Sequence, residues 1–239
     1  MSVWGKFGGG GLGLAIGGPI GGLIGAFAGH FLIDREGAPF GPVPRDVVLT
    51  TGLVALAAKM ARADGVVQRS EIEAFERIVV VRPEDRAQVE RLFRLAQATT
   101  DGFEAYASQL GRLLADEPAL LDDILDGLFL IAKADGAVHE AELAYLARVA
   151  EAFGRAGEPF DMALARHVRP HDDPYAVLGV PRDTPDDALR RRYRALVKEF
   201  HPDRELARGL PPEAVRIATD RLAAINAAYD RIARERGLP

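Results

Sequence analysis

The fold of this chain is decided by residues 173–213, which read DPYAVLGVPRDTPDDALRRRYRALVKEFHPDRELARGLPPE. Asp173 and Pro174 are suited to begin a helix and Gly179 is suited to end one, so a short helix is predicted between them. The preceding run HVRPHDD (167–173) is polar and breaks the helical pattern. It therefore marks the start of a separate C-terminal domain.

A longer helix is predicted to start at Thr184-Pro185, with Asp187 as the short-armed acid of a capping box. Its apolar face has helical spacing and consists of Leu189, Tyr193, Leu196, Val197 and Phe200. Another face is basic, with three cations four residues apart and a fourth beside them: Arg190, Arg194, Lys198 and Arg191. Residues 201–203, His-Pro-Asp, then end the helix, and the proline fixes the backbone at this corner.

A third helix is predicted to open at Pro211-Pro212-Glu213. Its apolar residues alternate four and three apart: Ala218, Leu222, Ile225, Tyr229 and Ile232. This spacing is typical of the seam between two antiparallel helices. The C-terminal region is therefore predicted to be a helical hairpin.

Four ordered pieces of this region resemble the J-domain of DnaJ-type co-chaperones: Asp-Pro-Tyr-x-Val-Leu-Gly, the basic Tyr-Arg helix, His-Pro-Asp, and Ala-Ala-Tyr-Asp in the last helix. The resemblance implies that the domain binds a DnaK-type chaperone in its ATP state and stimulates ATP hydrolysis. It implies that the stimulus comes from His201, Pro202 and Asp203. It also implies that the basic face docks on an acidic surface through Arg190, Arg191, Arg194 and Lys198. Such a basic row speeds the encounter with an acidic partner.

Two other interpretations of these residues stay open. The basic row can be an ordinary solvated helix face, as runs of charge usually are. His201 and Asp203 can instead form a general base and its orienting group. No serine or cysteine lies nearby in sequence to act as nucleophile, and Pro202 restricts the approach of the two side chains. The chain is therefore predicted to regulate a partner's ATPase and not to be an enzyme itself.

The composition favours an all-α protein, because alanine, leucine, arginine, glutamate and aspartate dominate the 239 residues and β-branched runs are scarce. There is no cysteine, which excludes disulfides, thiolate catalysis and cysteine-based zinc sites. The formal net charge is −5 and gives no indication of a nucleic-acid surface.

Residues 46–168 are predicted to form a helical domain with an internal repeat. The predicted helices are 46–62, 68–82, 84–98, 103–115, 118–134, 139–153 and 159–168. The run LAAKMARADGVVQRSEIEAF (56–75) resembles FLIAKADGAVHEAELAYL (129–146), since in both a helix ends at Ala-Asp-Gly and a valine and an acid follow. The matched pairs are Asp64 with Asp135, Gly65 with Gly136, Val67 with Val138, and Glu71 with Glu142. This pattern is typical of a duplicated helix–turn–helix in one bundle.

The four repeated acids Asp64, Glu71, Asp135 and Glu142 are candidate ligands of a divalent cation. If the repeats pack about a pseudo-twofold axis, their carboxylates approach one another and offer the oxygen ligands that hard cations prefer. The alternative is structural, with each aspartate at a helix end and each glutamate in the first turns of the next helix, where its charge suits the dipole. His139 has no counterpart in the other repeat and is predicted to be a surface residue. No other cofactor is predicted.

The N-terminal segment lacks charged residues from Phe7 to Ile33 and is rich in glycine. As a helix it would span about 40 Å, more than the roughly 30 Å of bilayer hydrocarbon. The residues of this segment leave three interpretations open, which are a linker, a cleaved signal peptide and a membrane anchor. The signal peptide is a real competitor, because Lys6 gives a basic start and Ala26-Phe27-Ala28 fits a cleavage site. Cleavage would release the J-domain away from ATP and its chaperone, so an uncleaved anchor is favoured.

Glycines in this segment recur every fourth residue and would form one ridge along a helix: Gly13, Gly17, Gly21, Gly25 and Gly29. Overlapping GxxxG units allow two helices to approach closely, so a homodimer through this ridge is predicted. The alternative is that the abundance of glycine produces the register by accident.

Three stretches resemble the DjlA family, the DnaJ-like membrane proteins of Gram-negative bacteria: the WGK…GH-F start, a TerB-type middle domain, and the run from Ala207 to Glu213 after His-Pro-Asp. The implied organisation is an anchor at 1–34, a linker at 35–45, a TerB-like domain at 46–168, a linker at 169–173 and a J-domain at 174–239. The resemblance implies a single-pass protein of the bacterial inner membrane with a periplasmic N-terminus and cytoplasmic domains.

TerB-type domains have been viewed as candidate metal binders, so the same resemblance favours a cation at the repeated acids. The primary functional hypothesis is a membrane-anchored co-chaperone that recruits a DnaK-type chaperone to the inner membrane. The alternative is a metal-responsive or envelope-stress signalling scaffold that is centred on the TerB-like domain.

Overall fold

The structure is a computed structural model that describes residues 45–61, 102–168 and 173–238. These residues form helices and no strand, which confirms the predicted all-α class. The middle domain contributes α1 (Arg45–Met60), α2 (Phe103–Leu113), α3 (Pro118–Ala132), α4 (Glu140–Ala152) and α5 (Glu158–His167). The C-terminal domain contributes α6 (Pro174–Leu178), α7 (Asp186–Glu199), α8 (Pro202–Ala207) and α9 (Pro212–Arg236).

Several predictions concern residues outside the described ranges. They are the helices at 68–82 and 84–98, the membrane segment at 1–34 with its glycine ridge, and the two acids Asp64 and Glu71. Within the ranges that the structure describes, no helix combines the length and the apolar character that crossing a membrane requires.

Helix α3 is the centre of the middle domain, because its sequence PALLDDILDGLFLIA is apolar on nearly every side. Pro118 occupies the first turn, as predicted. The helix packs against α1, α4 and α5 and also against α9 of the C-terminal domain. Two acids, Asp123 and Asp126, are carried into the core with it.

The second copy of the repeat forms the predicted turn. Helix α3 continues into a short 3-10 turn over Lys133–Asp135, and Gly136 follows with a φ of 114°. Only glycine adopts this left-handed conformation without strain. The Gly136 N–H donates to the Lys133 carbonyl at 3.0 Å, and Val138 packs half-buried against the core. The valine therefore anchors the turn.

The C-terminal domain is the predicted helical hairpin with a short leading helix. Asp173 caps α6, because its Oδ1 accepts a hydrogen bond from the Tyr175 N–H at 3.1 Å. Gly179 ends α6 with a φ of 64°. Helices α7 and α9 form the antiparallel pair, in which Tyr193 stacks on Tyr229 with ring centroids 4.0 Å apart.

The predicted capping box at the start of α7 does not form. The helix begins at Asp186, and Pro185 is the residue that precedes its first turn. Arg236, at the far end of α9, instead donates to the Thr184 carbonyl at 2.7 Å and to Asp186 Oδ1 at 2.8 Å. The start of α7 is therefore held by a tertiary contact, which a local capping pattern does not reveal.

The two domains share their cores. Three apolar residues at and before the start of α9 pack into the core of the middle domain: Leu210, Ala214 and Ile217. In return, Met162 and Ala165 of α5 pack into the core of the hairpin. This exchange of apolar side chains fixes the orientation of the hairpin relative to the middle domain.

Candidate functional site

Residues 201–203, called here the HPD corner, begin a helix as well as ending one. Phe200 closes α7, and His201 is the cap residue of α8. The His201 Nδ1 accepts a hydrogen bond from the Asp203 N–H at 3.2 Å. Pro202 takes the first helical position, where a missing N–H leaves no bond unmade. Helix α8 was not predicted, because so short a segment has no apolar periodicity to reveal it.

The HPD corner is open to solvent, with the His201 side chain 46% exposed and the Asp203 side chain 80% exposed. Arg204 ties the corner to α7, because its Nη1 donates to the Glu199 carbonyl at 2.8 Å and to the Lys198 carbonyl at 3.4 Å. Carbonyls at a helix C-terminus lack intrahelical partners, and a cation there suits the helix dipole. The sequence shows this arginine beside His-Pro-Asp, but its role was not predicted.

The basic face of α7 is accessible beside the corner. Of the four predicted docking cations, Arg190 is half-buried and the other three are exposed. The Arg194 Nε donates to the Arg190 carbonyl at 3.2 Å. Arg192 has a different role, since it donates to the Leu178 carbonyl and to Glu158 Oε1, both at 3.0 Å. The arginine run thus contains one residue that holds the fold and several that face solvent.

A shallow groove of about 470 Å³ lies between the basic face and the HPD corner. It is lined by Tyr193, Arg194, Val197, Lys198, His201 and Arg204. The Tyr193 hydroxyl donates to Asn226 Oδ1 at 3.0 Å and is therefore already occupied. An open surface with an apolar floor and cationic edges fits an acidic protein surface better than a small polar substrate.

Directly behind the corner lies a buried arginine that was not predicted. The Arg221 Cζ lies 4.4 Å from the centroid of the Phe200 ring. Its Nε donates to Asp126 Oδ2 at 2.5 Å, and its Nη2 lies 2.9 Å from Asp123 Oδ1. Burial lowers the pKa of Arg221, but the two carboxylates outweigh burial and raise it above the ordinary value. Arg221 therefore carries its charge between the HPD corner and α3.

Asp126 is the centre of this buried cluster. It accepts hydrogen bonds from Arg166 Nη2 at 2.9 and 3.2 Å and from Arg221, and His167 Nε2 lies 2.9 Å from its Oδ1. Burial would raise the pKa of Asp126, but the charges of Arg166 and Arg221 and the contact with His167 hold it well below its ordinary value. Asp126 is therefore ionised at neutral pH.

His167 is buried and its protonation follows from its neighbours. Its ring stacks on Phe129, and its Nδ1 lies 3.4 Å from Lys133 Nζ. Because an ammonium group only donates, Nδ1 is the acceptor and Nε2 carries the proton that is donated to Asp126. Burial lowers the pKa of His167, and the opposing effect of Asp126 is smaller. The imidazole is therefore neutral at pH 7.

The ionised form of Asp123 is stabilised less strongly than that of Asp126. The pKa of Asp123 is raised to about 7, chiefly by burial. The charge of Arg221 opposes this rise, and the charge of Glu205 adds to it. Within the described ranges its Oδ2 has no hydrogen-bond partner. The single guanidinium of Arg221 is thus shared unequally, with Asp126 as the permanently charged partner.

Further polar contacts join the domains around the HPD corner. Arg208, just after α8, forms an ion pair with Glu117 at the start of α3. Thr50 of α1 donates to Glu213 Oε1 in the first turn of α9. The sequence signal for contacts between the domains was the presence of Asp123 and Asp126 within the otherwise apolar helix α3, because buried charges require partners.

The metal prediction is not tested by the structure, since Asp64 and Glu71 lie outside the described ranges and no side-chain position is described for Asp135. Glu142 lies in the first turn of α4, where its Oε2 accepts a hydrogen bond from the His139 N–H at 2.8 Å. The side chains that the structure describes form no group of three or more acids or histidines suited to a metal ion.

Three family models match the chain in order. They are described as the co-chaperone DjlA transmembrane domain (residues 1–55), the tellurite resistance protein TerB (50–165) and the DnaJ domain (173–236). The second and third of these models cover the two domains whose cores are shared, and the third contains the HPD corner.

Three of the similar curated proteins share one name. The co-chaperone protein DjlA of Photobacterium profundum is 30% identical over 280 aligned residues, which cover 98% of this chain and 99% of that protein. The protein of that name from Coxiella burnetii is 27% identical, with 95% and 96% covered. The one from Shewanella oneidensis is 38% identical over 120 residues, and there the match spans 45% of this chain and 46% of the relative. No solved structure matches.

Proposed function

The chain belongs to the DjlA family of J-domain co-chaperones, and from this we propose that it stimulates the ATPase of a DnaK-type chaperone through the HPD corner. The observation that carries the proposal is the position of the corner. His201 and Asp203 are exposed at the end of a basic helix face, beside an open groove. Both parts are therefore accessible to one protein partner at the same time.

The basic face supplies the encounter. The exposed cations of α7 attract an acidic surface over roughly 10 Å at moderate ionic strength. Such steering raises the association rate and fades as salt is added. In the proposed complex the basic face aligns the partner, and the corner then contacts the element that controls ATP hydrolysis.

The HPD corner supplies a rigid contact. Pro202 fixes φ at the first turn of α8, and the bond from the Asp203 N–H to the His201 ring fixes the imidazole. A side chain held in this way loses little conformational entropy when the partner binds. The proposed role is regulatory, because ATP hydrolysis takes place in the partner.

We further propose that the N-terminal segment anchors the protein in the bacterial inner membrane. The match of residues 1–55 to a transmembrane domain supports an anchor. A DnaK-type partner requires ATP, which favours cytoplasmic domains and a periplasmic N-terminus. The glycines from Gly13 to Gly29 then form the surface along which two anchors associate as a homodimer.

The proposed stimulation is tested by measuring single-turnover ATP hydrolysis of a bacterial DnaK-type chaperone with the full chain in lipid nanodiscs. The wild-type chain is expected to accelerate hydrolysis, and His201→Gln is expected to abolish the acceleration. His139→Gln makes the same chemical change at an exposed position of the middle domain and should retain it. Absence of stimulation by the wild-type chain would refute the proposed function.

The proposed dimer is tested separately in a membrane two-hybrid assay. Replacement of Gly17 and Gly21 by isoleucine places branched side chains on the ridge and should abolish association. An unchanged signal would remove the dimer without affecting the proposed stimulation.

A further inference from the structure

We propose that Asp126 of the middle domain positions the HPD corner of the J-domain through Arg221, so that the middle domain determines how strongly the J-domain stimulates its partner. This inference rests on the proposed function. It assigns to Asp126 and Arg221 a positioning role, since neither residue is exposed to a partner.

Arg221 contacts the ring of Phe200, beside the HPD corner. The guanidinium lies over the ring at 4.4 Å, a geometry in which a desolvated cation is attracted to the aromatic face. Phe200 immediately precedes His201, and its N–H donates to the Leu196 carbonyl in the last bond of α7. A shift of the Phe200 ring therefore changes the backbone direction at which the corner begins.

Asp126 attaches Arg221 to the middle domain. Asp126 binds the Arg221 Nε and is itself held by Arg166 and His167 from α5. If this guanidinium left the site, Asp123 would lose the cation that pairs with it and Asp126 would keep only its contacts with Arg166 and His167, which is unfavourable in the core. The position of Arg221 is thus determined by helices α3 and α5 as well as by its own helix.

The C-terminal end of α8 is also attached to the middle domain. Arg208 pairs with Glu117, and Leu210 packs into the core of the middle domain. Arg204 holds the first turn of α8 to the end of α7. The short helix that carries Pro202 and Asp203 is therefore fixed at both ends, and its second end is fixed by the middle domain.

The alternative is that Arg221 and Asp126 only stabilise the interface between the domains. The two roles differ in what a change at Asp126 does to a folded protein. Arg191, Arg194 and Lys198 of the basic face are exposed, and in the described part of the chain the residues that bond to Asp126 are others, so the encounter with the partner should persist. A positioning role lowers the maximal stimulation and leaves the concentration for half-maximal stimulation nearly unchanged, whereas a purely structural role changes neither.

The test uses the full chain in nanodiscs and the Asp126→Asn substitution, which keeps the shape and removes the charge. Maximal stimulation is expected to fall about fivefold or more, the range of a typical coupling between two sites. Asp122→Asn is the matched control, since Asp122 lies on the same helix but pairs with Arg155 inside the middle domain. The control is expected to retain wild-type stimulation.

A second variant and a spectroscopic measurement make the test independent of folding losses. Arg221→Met removes the link but leaves Asp126 paired with Arg166 and His167, so the middle domain keeps its own contacts. It should lower the maximal stimulation in the same way, and Arg221→Lys should recover only part of it, because an ammonium lacks the planar fork. The NMR signals of the His201 ring are expected to shift in both Asp126→Asn and Arg221→Met.

The outcomes separate this inference from the proposed function. If the wild-type chain stimulates and folded Asp126→Asn and Arg221→Met do so equally well, positioning is refuted and the co-chaperone role stands. If the wild-type chain does not stimulate, the co-chaperone role fails, and the His201 signals still decide whether Asp126 positions the corner. Unshifted His201 signals in a folded variant would refute the link.

Discussion

Gly127 of α3 lies directly against Ile217 of α9, so that a Cβ atom at position 127 would be 2.9 Å from the Ile217 Cδ1. The same Cβ would be 3.1 Å from the Leu53 Cδ1 of α1. The absence of a side chain at Gly127 therefore allows α1, α3 and α9 to meet at one point. This point lies beside Asp126, so the close approach of the helices and the buried ion pair support each other.

A large side chain at position 127 should separate the two domains. Gly127→Leu is expected to lower the free energy of unfolding by about 1–3 kcal/mol, the typical cost of overpacking a core. Gly127→Ala should have a smaller effect, because the contacting atoms are the ends of flexible side chains and alanine favours a helix. Urea denaturation of both variants measures these changes. Equal stability of Gly127→Leu and wild type would show that the interface is not closely packed.

A fragment of residues 173–239, which contains the J-domain and the capping residue Asp173, should be less stable in one half of α9 than in the other. Removal of the middle domain exposes Ala214 and Ile217 in the first half, whereas Ile225 and Ile232 keep their contacts within the hairpin. Amide hydrogen exchange should therefore be faster over residues 214–221 in the fragment than in the full chain. Residues 225–234 serve as the internal control and should change little. Equal protection of both halves would contradict a shared core.

The local elements of the J-domain could be predicted because their signals lie within a few residues of each other. Asp173 and Gly179 bound α6, and the seam of α9 follows from its spacing. The second face of α9 was missed, since its meaning depends on a partner far away in sequence. Arg221 is separated from Asp126 by 95 positions, and no local pattern specifies that the two side chains meet. Burial of a charge is a property of the tertiary structure, and only the folded chain reveals it.

The HPD corner likewise has residues whose role was predicted from the sequence and contacts that were not. The resemblance of the sequence to J-domains assigned His201, Pro202 and Asp203 a role, and these three residues lie together in an exposed corner. The contacts of Arg204 and Arg208 were not predicted, because each depends on where α8 lies. Such anchoring contacts are decided by the path of the chain after the corner, which the spacing of apolar residues does not determine.

The basic face should act through long-range attraction. Arg194→Gln is expected to raise the concentration for half-maximal ATPase stimulation about threefold to tenfold at low salt, with a smaller effect at high salt. Arg234→Gln is the matched control, because Arg234 is also exposed and also donates to a carbonyl four residues earlier, at 3.2 Å. A similar loss in both variants, or an effect of Arg194→Gln that does not depend on salt, would exclude docking through this face.

Two groups of the buried cluster, Asp123 and His167, should make the free energy of unfolding depend on pH in opposite directions. The pKa of Asp123 is raised from 3.8 to about 7, so between these values the folded chain binds more protons than the unfolded chain. The stabilisation from protonated Asp123 is therefore present at low pH and is lost as the pH rises through about 7. His167 has the opposite effect, since its pKa is lowered from 6.5 and its contribution is lost as the pH falls below that value.

Replacement of Asp123 by asparagine isolates the first of these effects. The amide side chain of the variant does not titrate, so Asp123→Asn should gain stability relative to wild type by about 2 kcal/mol between about pH 5 and about pH 8. His167→Gln provides the opposite control, and it should gain relative to wild type as the pH falls from about 7 to about 5. Urea denaturation of the full chain at each pH measures both differences. A pH-independent difference for Asp123→Asn would mean that Arg221 keeps Asp123 ionised throughout, so that the guanidinium would be shared equally between the two acids of α3.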